Sequence, residues 1–314
     1  MGAVEWMQQG PFGLMVHYLK QTLPREGAAV HDWNEAVDRF PVKAFCREVE
    51  GTGAGWLIFT IGQNNGFYCS PNPVLEQWLP GRCSRRDLIL EIAMDLKRRG
   101  IRFLAYLPAE VDTADEALRE ALGWDLHPAD KTVFQERYMR VIEAWAQRFG
   151  TCLDGWWFDG CYNSGEKSFM RTHQWTNDRF DYARWAKACR AGNPAAVISM
   201  NPGADAMKIV FPDQDYLGGE TNKLEPLPDG PQVDGMQWHA LTWLDCFWIH
   251  EKRIGPIDPP RFSDEELYRY LSYCRSKGGA VTLNAGIYQD GALAEATAAQ
   301  LRRVSKLLLP DAAV

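Results

Sequence analysis

Six short apolar runs, at residues 12–18, 56–62, 101–107, 155–159, 196–201 and 280–284, punctuate the chain, and each ends in polar residues or glycine. Such runs are too short for stable helices and fit strands buried on both faces of a parallel sheet. Between them the apolar spacing changes to that of amphipathic helices. Residues 84–99 open with a Ser84-x-x-Asp87 cap, turn Ile89, Ile92, Ala93 and Leu96 inward, and stop at Gly100. Residues 133–149 repeat Tyr138, Val141, Ile142, Trp145 and Phe149 on one face, and residues 263–277 begin with the capping box Ser263/Glu266. An Ala/Leu-rich helix over residues 292–309 is stopped by Pro310. Strand–helix alternation over a chain of 314 residues predicts a parallel α/β sheet closed as a (β/α)8 TIM-like barrel, one domain spanning residues 1–314. Strands six and seven are undefined between residues 209 and 250, so the count of eight is inferred. The Pro/Gly-rich stretch 225–235 reads as a long loop near the site.

In such barrels the chemistry gathers where strands end. The run Asp154-Gly155-Trp156-Trp157-Phe158-Asp159-Gly160 delivers one carboxylate, Asp159, to that position. The other predicted strand ends supply His17, Gln63, Asn64, Asn65, Tyr106, Glu110, Asn201 and Asn284. Amides offer a donor and an acceptor side by side, matching the neighbouring hydroxyls of a neutral sugar. Thirteen tryptophans add aromatic faces on which a sugar can stack, with Trp157 and Trp238 as the candidates. Taken singly, Asp159 fits a turn or helix cap equally, and each amide could simply satisfy backbone. A second acid, Glu220, follows Gly218-Gly219, whose small size permits close approach to a ligand; alone it also reads as a solvated loop acid. Two acids facing one sugar are what glycoside hydrolysis requires.

Net charge −7 argues against a nucleic-acid partner, as does a pI near 5.5. Mean hydropathy is −0.34 and no apolar stretch approaches the roughly 18 residues of a membrane span, so no membrane partner is expected. The N-terminal residues lack a secretory pattern, which predicts a cytoplasmic protein whose eight cysteines are reduced. No cofactor or metal is indicated: His239 and His250 lack partners at ligand spacing. Gly51-Thr52-Gly53-Ala54-Gly55 precedes a strand instead of following one, which rules it out as a phosphate loop. The oligomeric state is left open.

These motifs, in order, resemble the α-L-fucosidases of glycoside hydrolase family 29. Phe12-Gly13-Leu14-Met15-Val16-His17 resembles the family's first strand, and Gly53-Ala54-Gly55-Trp56 to Gly66-Phe67 its second. Arg86-Asp87-Leu88 to Tyr106 resembles the third unit, and Gly155 to Gly160 the nucleophile strand. Asp215-Tyr216-Leu217-Gly218-Gly219-Glu220 is similar to the acid/base loop, and Gly278-Gly279-Ala280 to Asn284 with Asp290-Gly291 to the closing strand and turn. The resemblance implies a retaining exo-glycosidase acting on a carbohydrate, with Asp159 as nucleophile, Glu220 as acid/base and His17 binding sugar. Glu110 and Asp215 are the reserve acids. The chain departs from the family where Gln63-Asn64-Asn65-Gly66-Phe67 replaces a His-His-Asp-Gly-Phe run, and where Asn201-Pro202-Gly203-Ala204 stands in place of an expected arginine. The β-sandwich that commonly follows the barrel is expected to be absent. The departures leave two alternatives: a glycosidase for another sugar, or a catalytically silent carbohydrate-binding barrel.

Overall fold

The computed structural model describes residues 4–63, 65–111, 115–127, 131–161 and 181–309; Asn64 lies outside them. The predicted strands form, with trimmed ends, as β1 (Gly13–Val16), β2 (Trp56–Thr60), β3 (Arg102–Pro108), β4 (Gly155–Asp159) and β5 (Val197–Met200). A small hairpin follows, β6 (Gln232–Val233) and β7 (Met236–Gln237), and then β8 (His239–Trp243) and β9 (Ala280–Asn284). Seven strands make one parallel sheet in the order β5-β4-β3-β2-β1-β9-β8, so every C-terminal strand end lies at one rim.

Alternation along each strand separates two cores. Leu14, Val16, Leu57, Phe59, Phe103, Ala105, Trp156, Phe158, Val281 and Leu283 face the surrounding helices. Met15, Trp56, Ile58, Leu104, Tyr106, Trp157, Val197 and Leu241 pack together on the concave face. There the Trp56 indole N–H donates to Thr282 Oγ1 at 2.9 Å, and His239 Nε2 meets the same hydroxyl at 2.8 Å. His239 Nδ1 bonds the Leu217 carbonyl at 2.9 Å, so this histidine is a satisfied core residue.

Edge strands β5 and β8 both bond to residues 215–221. Asp215 N donates to Ile198 O (2.8 Å) in β5 and Thr221 N to Leu241 O (2.8 Å) in β8, while Leu217 N reaches Gln237 O (3.1 Å) in β7. From there the connection to β8 contains the β6–β7 hairpin. The 225–235 stretch therefore does not lie near the site as expected. Pro231 O accepts from Trp238 N, and Pro228 and Pro231 pack on Gly279 and Gly278, at the N-terminal end of β9.

The helices form as Leu88–Arg98, Thr132–Phe149, Asp264–Ser276 and Glu295–Leu308. The capping box at Ser263 is present. The cap predicted at Ser84 moves to Asp87, whose carboxylate accepts from Leu90 N, while Ser84 Oγ bonds Arg86 O. Asp87 stands directly before the first turn, so its carboxylate and not the earlier hydroxyl reaches the helix's free N–H groups. Among the described residues no helix is long and apolar enough to cross a membrane.

Candidate active site

A cleft at the C-terminal rim is lined by Met15, His17, Gln63, Tyr106, Trp157, Asp159, Glu220 and Trp248. Strand register explains the grouping. Tyr106 pairs with Trp157 and Pro108 with Asp159, which sets these side chains in adjacent layers of the concave face. The Tyr106 and Trp157 rings stack with centroids 5.3 Å apart.

Asp159 accepts hydrogen bonds from Tyr106 O–H to Oδ2 at 2.7 Å, from Asn201 Nδ2 to Oδ1 at 2.9 Å, and from Gly160 N to Oδ1 at 2.9 Å. Asn201, fully buried just beyond β5, also donates from the same Nδ2 to Glu220 Oε2. One amide nitrogen thus joins the two candidate acids. Burial, then the nearby Asp159 charge, pushes the Glu220 carboxyl up to about 8, against the opposing Asn201 hydrogen bond. Burial and the Asp159 charge thus both favour the protonated form of Glu220.

His17 bonds Asn284 Oδ1 through Nδ1 at 2.8 Å, while Asn284 Nδ2 donates to Trp248 O at 3.1 Å. The second bond fixes the amide's orientation, so neutral His17 carries its proton on Nδ1 and keeps Nε2 as an acceptor. Burial pushes this imidazole down to about 4, partly offset by Asn284 and Asp159.

The structure brings together His17, Gln63, Tyr106, Trp157, Asp159, Asn201 and Glu220. It places Trp238 elsewhere. That indole is buried immediately before β8, at the N-terminal end of the sheet, against Gly279. Of the reserve acids, Asp215 is engaged by Arg190 (2.8 Å) and Ile198 N (2.8 Å), away from the cleft. Glu110 is buried with its carboxyl against Gly160, behind Asp159 and outside the cleft lining. Sequence reasoning missed Met15 and Trp248. Met15 was legible as the inward residue of β1, whereas Trp248 follows no periodicity. Among the described residues no three His, Cys, Asp or Glu side chains cluster as metal ligands. Larger hollows, of ≈ 650 and ≈ 470 Å³, are lined by none of the candidate residues.

A curled parallel sheet with carboxyl, amide and aromatic groups at its C-terminal rim has the make-up of a glycoside hydrolase. Residues 33–310 match the family model described as Alpha-L-fucosidase, and the chain belongs to that family. No curated protein sequence matches it at a significant level. Among solved structures it is similar to an endo-fucoidan hydrolase of glycoside hydrolase family 107, with TM-score 0.70 and 13% identity over 99% of this chain and 95% of the other. It is also similar to α-L-fucosidase isoenzyme 1 from Paenibacillus thiaminolyticus, with TM-score 0.68 and 20% identity over 97% and 75% of the two chains. A third, the unliganded α-L-fucosidase from Lactobacillus casei, has TM-score 0.66 and 16% identity over 97% of each chain.

Proposed function

We propose that the protein is a retaining exo-glycosidase that removes a terminal α-L-fucosyl residue. In this reading Asp159 attacks the anomeric carbon and Glu220 protonates the departing oxygen. Glu220 then takes a proton from the incoming water as the glycosyl-enzyme is hydrolysed.

The observation that carries the proposal is the shared Asn201 amide. Two carboxylate oxygens accepting from one nitrogen lie within two hydrogen-bond lengths, about 6 Å at most. That supports a retaining pair, with carboxyl groups roughly 5–5.5 Å apart, over the ~6.5–9.5 Å of inverting enzymes. The raised Glu220 carboxyl supports the acid role, since the group must hold its proton when substrate arrives. In this reading His17 Nε2, Gln63 and the Tyr106–Trp157 pair, which line the cleft, read hydroxyls and the apolar face of the sugar. Asn64 belongs to the same proposed set from its sequence position alone. We also read residues 215–221 as the remaining stave of a (β/α)8 barrel, on the strength of their bonds to β5 and β8.

As it stands the cleft measures ≈ 40 Å³, well below the hundreds of Å³ of a typical ligand pocket, so a sugar's entry requires a wall to shift. Trp248, half-buried with a left-handed backbone (φ 63°), is one of the walls that reach solvent.

Nitrophenyl glycosides of fucose, galactose, arabinose and rhamnose test the sugar, and NMR of the first-released anomer tests the stereochemistry. Turnover of the α-L-fucoside with the α-anomer appearing first is expected. An initial β-anomer would overturn retention. Sugar binding without turnover of any glycoside would select the silent barrel instead.

A further inference from the structure

Beyond the cleft, a line of aromatic rings runs outward along the segment that follows β8. It starts at His17, whose ring centroid lies 5.9 Å from that of Trp248. Trp248 lies 6.2 Å from Phe247, and Phe247 meets Trp243 edge-on at 5.6 Å. Phe247 is 56% exposed, an unusual position for a ring joined to a buried site through its neighbour. A single exposed phenylalanine would call for no explanation. What sets this one apart is how its support is built. The Arg261 guanidinium covers Trp243 at 3.3 Å, and donates to Trp243 O (3.1 Å) and Asn222 O (2.8 Å). The Trp243 indole N–H donates to Asn222 Oδ1 at 3.0 Å. The aromatic line is therefore fastened to a residue two positions beyond Glu220.

That attachment gives the line a direction. An acid that protonates the glycosidic oxygen must stand on the side from which the leaving group departs. We propose that Phe247, supported by Trp248 and Trp243, is the platform for the leaving-group sugar, whose C–H face stacks on the exposed ring; this rests on the reading of Glu220 as the acid. The occupant is a saccharide, because the platform is continuous with the sugar cleft through Trp248 and offers an exposed apolar ring face. It makes the preferred substrate a fucosylated oligosaccharide, in which the second ring contributes to binding.

The test compares wild type with Phe247→Ala on two substrates: a fucosyl disaccharide and α-L-fucosyl fluoride, whose leaving group is too small to reach the platform. The expected result is a loss of about 10-fold in kcat/KM on the disaccharide, equivalent to roughly 1.4 kcal/mol, with the fluoride unchanged. Phe247→Tyr should restore most of the loss. Equal losses on both substrates, or none on the disaccharide, would overturn the platform. Calorimetry of the disaccharide and of free fucose separates this inference from the proposed activity. Wild type without turnover defeats the activity alone, whereas unchanged disaccharide affinity in Phe247→Ala defeats the platform.

Discussion

Asp159 and Glu220 share one amide but are held by different kinds of structure. Asp159 ends β4, a strand paired in register with β3 and β5 on its two sides. Glu220 rides on residues 215–221, which meet β8 through an isolated bridge, Glu220 with Leu241, and a side-chain bond from His239 to Leu217 O. Two glycines make that meeting possible. A Cβ on Gly218 would stand 2.6 Å from Asn201 Cα, and one on Gly219, at φ +69°, would stand 2.0 Å from His239 O. The position of Asp159 comes from repeated backbone pairing, whereas that of Glu220 comes from a few unrepeated contacts. Substitutions should therefore affect the two acids' surroundings differently.

The sharpest test of the regular side is Asp159→Gly. Turnover should fall by at least about 10⁴-fold, as when other nucleophiles are removed, with Tm near that of wild type and activity rescued by azide. Wild-type-like turnover would sink the nucleophile assignment.

Next in size is Glu220→Gln, which should cost about 10²–10³-fold in kcat on substrates with poor leaving groups. It should also remove the alkaline limb of the pH–rate profile. This carboxyl titrates higher when folded than its ordinary 4.5, so its contribution to stability is full below pH 4.5 and lost as pH rises through about 8. Urea titrations should accordingly find Glu220→Gln more stable than wild type above pH 8, relative to their difference at pH 5. Equal pH dependence in the two proteins would contradict the burial of this acid.

Gly219→Ala probes the irregular side without touching either acid. A left-handed alanine pressed on a backbone carbonyl should cost about 3 kcal/mol or more in unfolding free energy. Activity should fall with stability, because Glu220 is the next residue. Tyr106→Phe should have the smallest effect. It removes the Tyr106 hydrogen bond to Asp159 and should lower kcat about 10-fold, leaving Tm nearly unchanged.

The same contrast explains how much was legible in the sequence. β1 to β5 and β9 stand out as apolar runs because both faces of a parallel strand are buried. β8 reads His239-Ala240-Leu241-Thr242-Trp243, with His239 turned inward to bond Thr282 and Thr242 on the opposite face, so no apolar run marks it. With β8 unplaced, its ends were unplaced too. Hence Trp238, before the strand, stood among the candidates while Trp243 and Trp248, at and beyond its rim end, did not. The Pro/Gly-rich stretch was misplaced for a related reason: punctuation residues mark a turn but not which end of a sheet it occupies. His17, Tyr106, Asp159 and Asn201 were found because each closes a recognisable strand. Glu220 came from its motif, with no periodic signal behind it.

Asn201 has one more consequence, which concerns protons. A carboxyl or imidazole set between two acids would give a proton a place to stop and a way to pass from one to the other. A primary amide at ordinary pH neither gives up nor takes on a proton, so Asn201 fixes the spacing of Asp159 and Glu220 while conducting nothing between them. On the proposed roles, the proton held by Glu220 leaves toward the substrate oxygen and returns from water. On the same roles, the shared amide hands no proton from Glu220 to Asp159, although both rest on the same nitrogen.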